Sequence, residues 1–252
     1  FDSGAVGSDL MAGRVSLYGL PLDLGLDDRE IRARIGRGSL LLTYLNPYSY
    51  KVSEEQPDYA PNLEKFDLIV CDGIGIQAAA RSVFGSKTPI LTPDYDGIAA
   101  TYLAAASELS LSLCLVGSAD EIVSQAVLRL RDEHPGLTEV RGFGGYGSSP
   151  RLAKEEILAI KPGMVLVGMG MGKQEAYILD LVESGWSGIG ICVGGFFDKL
   201  ANPDLDYPSW AKTLNMRFLG RLAREPGRLW RRYFLDYRRF VGLYLRHLIT
   251  RK

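Results

Sequence analysis

The chain has 252 residues, 46% hydrophobic and 23% charged, a balance that excludes collagen-like, disordered and disulfide-scaffold classes and suits one large domain or two small ones. Its formal net charge of -1 conceals a split: residues 1–211 carry 17 Lys and Arg against 28 Asp and Glu, whereas 212–252 carry 12 against 2. A basic end on an acidic body points to an anionic partner such as phospholipid, nucleic acid or a phosphorylated substrate, the plainer alternative being a solvated helical face.

In chain order, short runs rich in Val, Ile and Leu predict strands near Val15–Tyr18, Leu41–Leu45, Leu68–Cys71, Leu111–Val116, Met164–Val167 and Ile189–Val193. Helical composition alternates with them over Asp27–Ile35, Gly75–Phe84, Ile98–Leu109, Ala119–Glu133, Pro150–Ile160 and Lys173–Ser184. That alternation predicts an α/β fold, a parallel sheet covered on both faces. Gly73, Gly117, Gly168 and Gly194 each follow a strand closely, at the edge where open α/β sheets bind ligands. Ser118 is placed to cap the helix after it, with His134-Pro-Gly as its stop. Cys71, Cys114 and Cys192 lie within apolar runs and read as buried hydrophobes in a reducing compartment. No apolar run approaches the roughly 20 residues of a membrane span.

From Pro226 onward, aromatic and aliphatic residues from Leu229 to Leu248 recur at three- and four-residue spacing, with Arg228, Arg231, Arg232, Arg238, Arg239 and Arg246 between them. This is a cationic amphipathic helix. It can lie in an anionic membrane interface, pack on the domain or serve a second subunit.

The chemistry available is restricted. His134 and His247 sit at helix ends, and neither a zinc spacing, a G-x-S-x-G elbow nor a P-loop occurs. Asp94-Tyr95-Asp96 is an acidic tripeptide of the kind that can hold a divalent cation. Cys71-Asp72-Gly73-Ile74-Gly75 places a carboxylate after a strand and before a glycine-rich helix start, where it can cap the helix or take a proton from a hydroxyl nucleophile. Gly168-Met-Gly-Met-Gly172-Lys173-Gln174-Glu175 and Val193-Gly194-Gly195-Phe-Phe-Asp198 are further glycine-rich strand ends, suited to a phosphate or a polyhydroxylated sugar.

Taken in order, these pieces resemble the WecG/TagA/CpsF family of bacterial glycosyltransferases, glycosyltransferase family 26. The resemblance runs from about Leu41 to Tyr233 and rests on Leu45-Asn46-Pro47, Asp67 through Ile76, Leu115-Val-Gly117, His134-Pro-Gly-Leu137, Val167 through Glu175, Val193 through Asp198, Pro208-Ser-Trp210 and Arg221 through Tyr233. Two departures stand out. Tyr44 occupies the place, two before Asn46, where the family often has threonine, with Thr43 one residue earlier; Gly172 stands where proline usually precedes the lysine.

The resemblance implies a Rossmann-like α/β catalytic domain over 1–200 and a basic helical, membrane-associating appendage over 201–252. It implies inverting transfer, without a metal or other cofactor, from a UDP-sugar donor to a polyprenyl-diphosphate-linked acceptor in surface-polysaccharide synthesis (exopolysaccharide, capsule or teichoic acid). The enzyme would sit peripherally on the cytoplasmic membrane face. Carried over by residue, Asp72 is the general base, with Gly73 beside it. Thr43, Asn46, Gly168, Gly170, Lys173, Gln174, Glu175, Gly194, Gly195 and Asp198 bind substrate, and Arg221, Arg228, Arg231 and Arg232 neutralise the leaving diphosphate. The competing readings are a non-catalytic nucleotide-sugar binder and a nucleic-acid-binding tail. The second is disfavoured because Trp230, Tyr233, Tyr237 and Tyr244 fall on the apolar stripe rather than among the arginines.

Overall fold

The computed structural model describes residues 13–86, 88–202 and 235–250. It opens with a hairpin, β1 (Gly13–Leu17) and β2 (Leu20–Leu24), closed by Tyr18 and Gly19 at φ 51° and 90°, as a two-residue turn with both centres left-handed demands. Then follow α1 (Asp28–Ile35), β3 (Leu40–Leu45), α2 (Ser49–Glu55), α3 (Tyr59–Glu64), β4 (Leu68–Cys71), α4 (Ile74–Phe84) and α5 (Ala99–Glu108). The second half runs β5 (Ser112–Gly117), α6 (Asp120–Glu133), β6 (Glu139–Phe143), α7 (Ser149–Ile160), β7 (Met164–Gly168), α8 (Lys173–Glu183), β8 (Ile189–Cys192) and α9 (Phe196–Ala201), with α10 (Arg238–Thr250) beyond.

Six strands form one sheet in the order β4-β3-β8-β7-β5-β6, every neighbouring pair parallel. This is the expected α/β, Rossmann-like core. Right-handed crossovers send α2–α3 and α8 to one face, because both connections travel the same way across the sheet, and send α6 to the other. The packing agrees, with α3 against α8 and α6 against α9. Strands β3, β4, β5, β7 and β8 are apolar almost throughout and buried, as strands covered on both faces must be.

The segment near Val15 was expected in the parallel sheet; it pairs antiparallel with β2 instead. The hairpin seals the sheet's β4 edge electrostatically. The Asp23 carboxylate accepts from the Ile69 backbone N–H at 2.7 Å and from Arg14 at 3.0 and 2.9 Å, while Arg14 also donates to the Phe66 carbonyl at 2.8 Å. An edge strand's outward-facing amide is thereby paired. Ser118 does not cap α6: Ala119 holds that position, and Ser118 sits at φ 57° with its hydroxyl donating to Asp198 at 3.3 Å. The three cysteines are buried and unbridged. Among the described residues no helix is long and apolar enough to cross a membrane.

Helix α10 is docked. Phe240 is its one buried side chain and packs on Tyr50, ring centroids 5.4 Å apart, with Tyr18 and Tyr244 beside it. Lys51 pairs with Asp236 at 2.9 Å and Arg239 with Glu54 at 3.1 Å. The other side exposes Val241, Leu245, Leu248 and Ile249 next to Arg238 and Arg246.

Removing the Asp23 carboxylate strands a buried amide and a half-buried guanidinium. Asp23→Ala is therefore expected to cost about 1–3 kcal/mol, read as a lower urea midpoint at unchanged m value; a loss below about 0.5 kcal/mol would show the hairpin to be ornamental.

Candidate active site

The carboxyl ends of the strands carry the polar residues, and two linked arrangements stand there. The first lies after β3 and β4. Asn46 folds into a turn in which its Oδ1 accepts from Tyr48 N–H at 2.9 Å and its backbone N–H donates to Ser49 Oγ at 3.1 Å. With the carbonyl side of the amide committed, Nδ2 faces Asp72 and donates to its Oδ2 at 3.1 Å. Asp72 is half-buried, its backbone N–H bound to the Leu45 carbonyl at 2.9 Å. Gly73, at φ 92°, is the N-cap of α4, so Asp72 stands one residue before the helix start.

The second arrangement is a wall. Glu175 is fully buried. Its Oε1 accepts from Thr43 Oγ1 at 2.8 Å and Gln174 Nε2 at 3.0 Å, and its Oε2 from the Gly172 N–H at 2.6 Å. Gln174, also fully buried, accepts from the Gly194 N–H at 3.1 Å. One carboxylate thus ties the end of β3 to the turns that follow β7 and β8. Burial pushes the Glu175 carboxyl above the ordinary range, against the pull of Gln174, Thr43 and two backbone N–H groups.

Tyr44 stands between the arrangements. Its phenol is held well above the usual tyrosine range, first by burial and then by the charges of Asp72 and Glu175, with a hydrogen bond to Gln174 pulling the other way.

The structure therefore brings Asn46 and Asp72 together, and separately Thr43, Gln174, Glu175, Gly172 and Gly194. Lys173, Gly170 and Gly195 are exposed along the same edge, and Asp198 meets Ser118 there. Gly168 closes β7 against Gly117, where a Cβ would overlap the Gly168 carbonyl. Arg221, Arg228, Arg231 and Arg232 lie outside the described residues. Sequence reasoning missed Ser49, whose hydroxyl also meets Met171 Sδ at 3.3 Å, and the proximity of α10. A Cβ on Gly75 would lie 3.1 Å from Pro47 and 3.3 Å from Phe240. The docked helix thus borders the start of α4, three residues from Asp72.

The acidic tripeptide is engaged by a side-chain cation: Lys199 Nζ bonds Asp94 and, at 3.1 Å, Asp96. Among the described residues no group of three or more His, Cys, Asp or Glu is placed to hold a metal ion.

The model of the WecG/TagA/CpsF glycosyl transferase family matches residues 16–252. A Shigella boydii UDP-Gal:α-D-GlcNAc-diphosphoundecaprenol β-1,4-galactosyltransferase is 32% identical over 206 residues, covering 80% of this chain and 84% of that protein. N-acetylglucosaminyldiphosphoundecaprenol N-acetyl-β-D-mannosaminyltransferases from Bacillus spizizenii and Bacillus subtilis are each 26% identical, over 84% and 82% of this chain and 80% and 78% of their own lengths. The chain belongs to the WecG/TagA/CpsF family and is a glycosyltransferase.

A carboxyl that burial raises holds its proton longer folded than unfolded, so the folded state binds more protons above the ordinary carboxylate pKa of about 4.3, and stability falls as pH rises through that window. Glu175→Gln removes the titration. Wild-type stability minus that of the variant should decline above about pH 4.3, by at most about 1.4 kcal/mol per pH unit; a flat or rising difference in urea unfolding across pH 4–7 would contradict the direction.

Proposed function

We propose that this enzyme transfers a sugar, with inversion, from a UDP-sugar to a polyprenyl-diphosphate-linked N-acetylglucosamine during surface-polysaccharide synthesis, with Asp72 as general base. The observation that carries the reading is the Asn46–Asp72 hydrogen bond at the carboxyl edge of the sheet. It holds a half-buried carboxylate in a fixed orientation, as abstraction of a hydroxyl proton during attack requires. The acceptor follows from the relatives, all three of which are named for a GlcNAc-diphosphoundecaprenol substrate, and the UDP donor from the first of them.

Inverting displacement needs a base on one side of the anomeric carbon and positive charge where the diphosphate departs, because negative charge grows there. On this reading Asp72 takes the proton of the acceptor hydroxyl as that oxygen bonds the anomeric carbon and UDP leaves. Lys173, at the start of α8, and the basic positions Arg221, Arg228, Arg231 and Arg232 stabilise the departing UDP. The glycine-rich turns around Gly168, Gly170, Gly194 and Gly195 let the donor approach the backbone, with Asp198 at the rim. Thr43, Gln174 and Glu175, being fully buried, contribute by fixing those turns. No cofactor is assigned.

Residues 1–200 serve as the catalytic domain and 201–252 as the appendage. The exposed Val241, Leu245, Leu248 and Ile249, beside arginines, give α10 the composition to rest on an anionic bilayer at the cytoplasmic face while Phe240 holds it to the domain.

The test is a panel of UDP-sugars offered singly with prenyl-diphosphate GlcNAc in detergent, with and without EDTA. Gain of one sugar by the acceptor, unaffected by EDTA, is expected; donor binding without transfer would replace the enzyme with a binder. Asp72→Asn should lower kcat by roughly 100-fold or more with the thermal unfolding midpoint retained; near-normal turnover removes Asp72 from the role. Replacing Leu245 and Ile249 together by Glu should weaken sedimentation with phosphatidylglycerol vesicles severalfold, and unchanged binding would place the membrane contact elsewhere.

A further inference from the structure

The Asn46–Asp72 bond joins two turns, and one aromatic ring from the far end of the chain is packed against both. Phe240, the buried side chain of α10, is 5% exposed. Its ring edge faces Gly75, where a Cβ would lie 3.3 Å from Phe240 Cε1 and 3.1 Å from Pro47 Cγ. The three groups therefore meet with no room for a further carbon unless one of them shifts. Pro47 directly follows Asn46, and Gly75 comes three residues after Asp72. Behind the ring stands Tyr50, in the first turn of α2, with centroids 5.4 Å apart and its own hydroxyl donating to the Leu17 carbonyl at 2.7 Å. A second contact reaches the Asn46 turn from the same segment. Asp236, just before α10, accepts from Lys51 Nζ at 2.9 Å, and that ammonium stands 5.4 Å from the centroid of the Tyr48 ring. The backbone N–H of Tyr48 is the one that donates to Asn46 Oδ1.

We propose that Phe240 is a positioning residue for the transfer reaction: seated between Tyr50 and the Pro47–Gly75 contact, it sets the spacing of the two turns and so the orientation in which Asn46 holds the Asp72 carboxylate. The role is separate from any contact that α10 makes with a bilayer. The inference rests on the reading of Asp72 as general base and deepens it by adding a residue that acts on the base through packing. Proton abstraction tolerates little misplacement, a shift of about 1 Å costing up to roughly 100-fold in rate. Removing a ring from a close-packed contact leaves a cavity into which its neighbours relax, and the neighbours here carry both halves of the pair.

The test uses the full chain with a short-chain, water-soluble prenyl-diphosphate GlcNAc, no vesicles, and the UDP-sugar that wild type uses in the donor panel, so that membrane attachment plays no part. Phe240→Ala should lower kcat by about fivefold or more with both KM values within about threefold of wild type, and Phe240→Leu, which refills the contact, should recover most of the loss. In an Asn46→Ala background the same Phe240→Ala change should cost less than about twofold further, because the bond through which it acts is already gone. A smaller loss, a loss carried by KM alone, or an equal loss in both backgrounds overturns the proposal. Amide hydrogen exchange of the ligand-free proteins separates this from the transfer reading. Residues 46–49 and 72–77 should exchange faster in Phe240→Ala than in wild type, with 168–175 unchanged. If wild type transfers nothing, the transfer reading fails by itself, and unchanged exchange at the two turns still refutes the role of Phe240. Asp236→Asn, which weakens the second contact and leaves the ring in place, carries the same comparisons if Phe240→Ala does not fold.

Discussion

A single buried carboxylate organises the functional edge of this protein. Glu175 has no exposed surface, and its partners lie at three strand ends: Thr43 near the end of β3, Gly172 in the turn after β7, and Gln174, which passes the connection on to Gly194 after β8. A buried polar network of this kind is rigid when every member is satisfied and costly when one is missing. Its effect is to convert two glycine-rich turns, which alone would sample many conformations, into fixed walls. Glycine lets the backbone take these positions; the carboxylate keeps it there.

The Asp72 side is built differently. Asp72 is oriented by Asn46, and Asn46 by its own turn, a local arrangement that needs only the parallel pairing of β3 with β4. The wall and the base are therefore set by separate interactions that meet at Tyr44. Helix α10 adds a third constraint, since Phe240 packs close to Gly75 and Pro47 on the Asp72 side of the sheet edge. On the proposed reading, a lipid-linked acceptor would enter from the side of Asp72, and α10 is docked on that side.

Much of the architecture was legible because parallel strands covered on both faces are written as short apolar runs, and five of the six expected runs became neighbours in one sheet. Strand β2 was illegible because Pro21 interrupts it, and β6 because Glu139, Arg141 and Gly142 break its apolar character. The hairpin's seat on the β4 edge depends on Asp23 reaching Ile69, 46 residues away. In the site, Asp72 was visible as a carboxylate following a strand, and Asn46 through the family resemblance. The bond between Thr43 and Glu175 spans 132 positions and the Lys199–Asp96 pair 103, distances over which no local pattern operates. For that reason the family resemblance could mark Thr43 and Glu175 without revealing that they bond each other, Glu175 also accepting from Gln174 and Gly172, and the sequence could not show that Asp94-Tyr95-Asp96 is held by a lysine from α9. Tyr44 registered only as a departure from family pattern; its fit against Gly194 is a property of the folded chain.

The central claim is that the turns fixed by Glu175 form the donor site. Amide hydrogen exchange of the wild-type chain with and without saturating UDP tests it most directly, because it reports where the nucleotide acts without requiring the correct sugar or acceptor. Slowed exchange is expected to concentrate at residues 168–175 and 194–198. Protection confined to the surface grooves between α6 and β6 or between α3 and α8, with those turns unchanged, would contradict it.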